Sequence, residues 1–243
     1  MEGYYEKLGI QDFFNVIFGG AIFCICICWI YPQILTHYNN FKNTYKEESY
    51  IVIFVIFFVI GLIIQEVASF FDVKIMHIKS NVVKNFLKNN YNQKNIYGGY
   101  KNCIIQNDIK LKVYRNIGKK ILRTHGLKYD KDFTDEQNQF IYSFCYYIIE
   151  KCNMCHKYEK MRGLFDMSLI LCFSCIVLEI SIFPSLIYGI WIHRISKKVI
   201  IEIILLLVGF IIFYNRAKKL MNYKARILMG TYEYCNYLFP ELF

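Results

Sequence analysis

Three carboxylates stand where a carboxylate is costly. Glu66, Glu179 and Glu202 each interrupt a stretch made almost wholly of Ile, Leu, Val and Phe. Ionisable groups inside lipid-length apolar runs are rare, face a cavity or a partner, and mark ion or proton paths. Glu179 is the deepest of the three. Ser168, Cys172 and Cys175 lead up to it at spacings of four, three and four, so on a helix the four side chains share one small, polar face. Such a face either lines an aqueous path or packs against a neighbouring helix with Glu179 protonated and hydrogen-bonded. Glu66 and Glu202 lie near the ends of their stretches, where solvation at the interface accounts for them more simply. If the third stretch stops near Pro184, Glu179 and Glu202 come to similar depth and can share a proton or a cation.

Other chemistry-bearing residues carry less. Cys152-Asn153-Met154-Cys155-His156 fits the C-x-x-C-H pattern of c-type haem attachment. Against it, the segment belongs to the basic centre discussed below, and Cys152 and Cys155 continue an apolar helical stripe in which a thiol behaves as a small hydrophobe. Cys152 and His156 are one turn apart if helical, but no second Cys/His pair completes four ligands. We therefore expect no cofactor and no metal. The chain contains no H-E-x-x-H, G-x-S-x-G or phosphate-binding glycine loop, so an enzyme is not expected.

The elements that must position these residues are four long apolar stretches. Phe13–Leu35 and Tyr50–Phe71 form one pair, Leu164–Trp191 and Val199–Tyr214 another. About 20 apolar residues cross a bilayer as a helix; the first three stretches qualify and the fourth, with 16 residues, is at the short limit. The third is long enough to tilt, or to be divided by Pro184 into a span and an interfacial piece, and division is the preferred reading. The tail ahead of the first stretch is acidic, unlike that of a signal peptide, so the stretch is expected to remain as a span.

Between the pairs, residues 72–163 hold 18 of the chain's 29 Lys and Arg and 8 of its 19 Asp and Glu, an excess equal to the net +10 of the whole protein. Positive charge marks the cytoplasmic side, which places the centre and both termini inside. The ten cysteines then lie in spans or in the reducing compartment, where disulfides are rare, and none is expected.

Within the centre, Val73–Asn89 alternates lysines with apolar residues as an amphipathic helix running on from the second span, and 89–102 reads as loop. Asp108–Thr124 reads as a second basic helix closed by Gly126. Thr134-Asp135-Glu136-Gln137 matches a capping box, and the helix it opens meets no proline before Pro184. The simplest expectation is one helix continuing into the third span. After the fourth span, Arg216, Lys219, Lys224 and Arg226 among apolar residues suggest a basic amphipathic tail suited to anionic lipid.

The sequence thus predicts an all-α, polytopic integral membrane protein of the cell membrane, with four spans and a helical cytosolic segment continuous with spans two and three. Its expected parts are a hairpin (1–71), the basic segment (72–163), a second hairpin (164–214) and the tail (215–243). The leading functional expectation is an oligomeric channel-like or membrane-perturbing protein gated from the cytosol. Its path would be lined by Glu179, Glu202, Ser168, Cys172, Cys175 and Glu66. The alternative is a non-conducting scaffold or sensor whose basic helices bind a cytosolic protein or anionic lipid. Expected partners are membrane lipids and further copies of the chain; the topology already explains the positive charge, which disfavours nucleic acid.

Overall fold

The computed structural model describes residues 10–87, 108–129, 132–191 and 196–240. Among them there is no strand. The helices are α1 (Ile10–Ile30), α2 (Pro32–Tyr45), α3 (Glu48–Phe71), α4 (Ile78–Asn85), α5 (Asp108–Thr124), α6 (Asp135–Lys151), α7 (His156–Trp191) and α8 (Lys197–Leu238). The loop expected over 89–102 lies outside the described residues. The chain forms two compact units: Met1–Met76 with Gly163–Ala217, and His77–Arg162 with Lys218–Phe243. Helices α7 and α8 each supply residues to both.

Among the described residues, three helices are long and apolar enough to cross a membrane, or four if the bent pair α1–α2 counts as one span. That bend, 112°, is the first departure from expectation. The stretch Phe13–Leu35 is not one straight helix, because Tyr31 leaves the helical conformation and Pro32 starts a new helix at its first position. There the missing N–H costs nothing and the ring pre-sets the backbone angle. Helix α2 then runs ten residues past the apolar stretch, to Tyr45.

In the first unit α1 and α3 meet backbone to backbone. A methyl on Gly20 would overlap the carbonyl of Phe57, and one on Gly61 the carbonyl of Val16. Glycine permits this approach, and in lipid, where apolar burial gives no advantage, close packing is what associates helices. Val16, Ile64 and Ala68 seal the seam, and Phe13 packs against Phe58 with ring centroids 5.3 Å apart. Helix α7 joins through Ile170 beside Gly19, through Phe173 against Phe71 at 5.5 Å, and through the hydrogen bond from the Tyr31 hydroxyl to the Ser181 carbonyl at 2.6 Å. Pro184 does not divide α7, which runs unbroken to Trp191. One lost amide is tolerated in a long apolar helix, and Pro184 is exposed, away from the unit's packing.

The second span does not pass smoothly into α4. Helix α3 widens into a π-turn over Asp72–Met76, and His77 takes a left-handed conformation (φ 53°) before α4 begins. The helix opened by Thr134 also stops short of the third span. It ends at Lys151 in a Schellman motif, with the Met154 amide donating to the Ile149 carbonyl (2.8 Å) and the Asn153 amide to that of Glu150 (3.0 Å). Asn153 sits at φ 54°, and asparagine is the residue after glycine that best accepts this position. A new helix, α7, starts at His156.

The second unit is built like a water-exposed helical domain. Gly126 (φ 69°) closes α5 with the same Schellman pair: the Leu127 amide donates to Leu122 at 2.9 Å and the Gly126 amide to Arg123 at 3.0 Å. Both bonds of the Thr134–Gln137 capping box are present, at 2.9 and 3.3 Å. Leu87, Leu122, Ile141, Cys145, Ile149 and Leu228 are fully enclosed. The segment after the fourth span is therefore no separate surface tail, since Met221, Ala225, Leu228 and Met229 are core residues of this unit.

Candidate functional site

The polar face of the third span is positioned by α7. Its members do not open onto a path within the first unit. Ser168 donates to the Leu164 carbonyl (2.9 Å), Cys172 donates to the Met76 sulfur (3.9 Å), and Cys175 lies under Gly209 of α8. All three are buried. They are packing residues in this arrangement.

Glu179 is different. It is half-buried, and its Oε1 is screened from solvent with no hydrogen-bond partner among the described residues. A carboxyl oxygen left so has a cost that only a proton donor, a cation or water would relieve. Glu202 instead has a neighbour on its own helix: the Lys198 ammonium stands 3.5 Å from its Oε1. Among the described residues no hydrogen bond or ion pair joins Glu179 to Glu202. Glu66 is exposed on α3.

The four basic tail residues separate by environment. Arg216 and Lys219 are exposed. Lys224 is buried, with its ammonium 4.4 Å from the centre of the Tyr158 ring, an arrangement in which the ring's negative face stabilises the cation. This removes Lys224 from the set presented to lipid. Arg226 is half-buried with its Nε lacking a partner.

Around Lys224 lies a group of tyrosines that pattern-reading missed. The Tyr142 and Tyr158 hydroxyls share a hydrogen bond of 3.1 Å, and Tyr146 donates to Glu159 at 2.9 Å, with Arg162 beside that carboxylate at 3.6 Å. Burial pushes the Tyr142 hydroxyl up to about 12 and raises those of Tyr158 and Tyr146 as well. These hydroxyls remain protonated donors at any physiological pH. Nothing in the sequence spacing pointed to the lysine above them.

Helix α5 has two faces. Ile121 and Leu122 are buried, and Arg115 reaches inward to the Leu87 carbonyl (3.0 Å) and the Asp132 carboxylate (2.9 Å). Lys112, Asn116, Lys120 and Arg123 face outward as one exposed row. The C-x-x-C-H residues straddle the turn between α6 and α7, so Cys152 and His156 are not on one helix. No protein-family model, no curated protein and no solved structure matches this chain.

Proposed function

We propose that the protein is a multi-pass protein of the cell membrane, with both termini and its basic unit cytosolic. In this reading it serves as a non-conducting scaffold or sensor whose basic helices engage an anionic lipid surface. The supporting observation is the outward row Lys112, Asn116, Lys120 and Arg123 on α5, carried by a helix whose opposite face is locked into a core. A rigidly presented basic row pays little ordering entropy on meeting phosphate headgroups. Each Lys or Arg near an anionic surface contributes about 1 kcal/mol, so the three cations supply about 3 kcal/mol, or more than a hundredfold in affinity. The test uses the full chain in nanodiscs. Amide exchange across 108–124 slows in anionic but not in zwitterionic bilayers, and the triple variant K112E/K120E/R123E loses the difference. Equal exchange in both bilayers overturns the proposal.

A second reading, an oligomeric channel-like or membrane-perturbing protein gated from the cytosol, is favoured by the unpartnered Glu179 oxygen. A further copy of the chain would supply the missing donor or complete a wet path. It no longer draws on Ser168, Cys172 and Cys175, whose packing is internal. Liposome flux separates the two. Flux abolished by Glu179→Gln establishes the channel reading, and an absence of flux from the wild-type protein leaves the scaffold.

A further inference from the structure

Three sulfur atoms converge in the second unit, on elements far apart in sequence. Helices α6 and α8 supply the frame. Near the middle of α6, Cys145 donates to the Met229 sulfur of α8 at 3.8 Å, which sets the register of the two helices. Seven residues further along α6 comes Cys152, and six further along α8 comes Cys235. At 1.5 Å per residue these are advances of about 10 and 9 Å, so the second pair recurs in step with the first. The Cys152 thiol neighbours Cys235 closely enough to raise its pKa. The left-handed turn at Asn153 then folds Met154 back over the helix end, and Cys235 donates to its sulfur at 3.5 Å.

This grouping has the donor chemistry of a soft metal. Two thiols and a thioether suit monovalent copper, which takes low coordination numbers and sulfur ligands, whereas a structural zinc site needs four ligands and rarely uses a thioether. Three sulfurs about 2.3 Å from a metal in a trigonal plane are about 4 Å from one another, and the Cys235–Met154 separation is already close to that. Cys235 is buried while Cys152 and Met154 are half-buried, so the group is shielded on one side and reachable on the other. His156 is exposed and is not needed to complete a three-coordinate site.

We propose that Cys152, Cys235 and Met154 form a three-sulfur site for Cu(I), built by the C-terminal turn of α6 against α8. Binding deprotonates both thiols: two S–H bonds break, two copper–thiolate bonds form with the thioether as third ligand, and two protons pass to solvent. No electron is transferred. Burial and the neighbouring Cys152 thiol push the Cys235 thiol up to about 12, so copper has to displace a proton from it. Apparent affinity accordingly rises with pH, by up to about a hundredfold per unit where both protons are displaced. The proposal is independent of the function argued above.

The experiment is an anaerobic Cu(I) titration of the reduced full-length protein in detergent against a chromogenic Cu(I) chelator. Cys24, Cys26 and Cys28 in α1 form a competing thiol group, so the triple variant C24S/C26S/C28S is titrated beside the wild type. One tightly held copper is expected in both. Cys152→Ser and Cys235→Ser each weaken it by more than about a hundredfold, above the range that loss of an outer-shell partner produces; Met154→Leu weakens it by about tenfold. Undiminished affinity in both cysteine variants, or copper lost only with the α1 cysteines, overturns the site. X-ray absorption of the copper-loaded C24S/C26S/C28S variant decides the matter even if a Cys152 or Cys235 variant fails to fold. Three sulfur scatterers support the assignment, and two sulfurs or a nitrogen or oxygen shell refute it.

Discussion

In the first unit Ile51, Ile63 and Ile201 point outward, more than half exposed, while the closest packing is made by Gly20 and Gly61. In the second unit the large apolar residues Leu87, Leu122, Ile141 and Ile149 are enclosed, and the helix ends carry caps. The difference is the one that two solvents would produce. A helix in hydrocarbon satisfies its backbone internally and gains little by hiding isoleucine, so backbone proximity decides its partners. A helix in water gains by burying isoleucine and must account for each terminal amide and carbonyl. One chain obeys both sets of rules, and the boundary between them can be tested by mutation.

The largest contrast is expected at glycine. Gly61→Leu drives a side chain into the Val16 backbone, which cannot yield, and should cost more than about 4 kcal/mol by forcing α1 from α3. Gly118→Ala in the second unit meets only the tips of Ile141, Leu87 and Phe133 at 3.1–3.3 Å, and about 1–3 kcal/mol is expected for such overpacking. Both tryptophans, Trp29 and Trp191, belong to the first unit, so their fluorescence during denaturation reports the first change and hydrogen exchange over α5 and α6 the second. Equal losses at the two glycines would erase the distinction.

Truncation comes next. Leu122→Ala should destabilise by about 2–5 kcal/mol through the cavity it leaves, whereas Ile51→Ala, at a residue 69% exposed, should shift denaturation in detergent negligibly. Ile63→Lys sharpens the point: an exposed lysine in water is harmless, but in mid-bilayer it costs about 2.5–3.5 kcal/mol, and the membrane-inserted fraction should fall. Wild-type insertion of Ile63→Lys would mean that α3 does not face lipid.

A smaller effect depends on pH. The Tyr142 hydroxyl lies at about 12 in the folded protein against an ordinary value of 10.0, chiefly through burial. The folded state holds this proton after the unfolded state has lost it, so the stabilisation is intact below pH 10 and disappears as pH rises towards 12. A two-unit difference corresponds to about 2–3 kcal/mol. Stability measured by denaturant should decline as pH rises past 10, with the Tyr146 and Tyr158 hydroxyls, also raised by burial, adding to the loss, and Tyr142→Phe should make the decline shallower. The smallest effects concern the caps. Asn153→Ala places an alanine at φ 54° and should cost about 1–2 kcal/mol, and Thr134→Ala removes the capping oxygen for about 1 kcal/mol. Asn153→Gly should be neutral or stabilising, which a thermal denaturation series checks.

How much of this was visible beforehand differs from one residue to the next. Thr134 and Gln137 cap the helix through each other, three residues apart, and Gly126 closes α5 onto Arg123, so these roles were readable from spacing. Asn153 has an equally local role and was overlooked, because asparagine serves loops, caps and helix surfaces alike and announces none of them. Division at Pro184 was expected because Leu164–Trp191 exceeds one straight crossing, but length alone does not break a helix, and a long apolar helix absorbs one missing amide. The Ser168–Cys172–Cys175 face was recognised as a face, but its periodicity is the same whether water or Met76 lies opposite.

From sequence alone came the helical periodicity, the apolar lengths compatible with several membrane crossings, the concentration of positive charge between 72 and 163, and the local caps. All depend on residues within a few positions of one another or on simple composition. The tertiary structure decided which small residues meet, that Lys224 is covered by Tyr158, that the Glu179 Oε1 finds no partner among the described residues, and that Met154 meets Cys235 across more than 80 residues of chain. Those outcomes rest on which helix faces come together. Close packing in three dimensions sets that, and no periodicity in one dimension contains it.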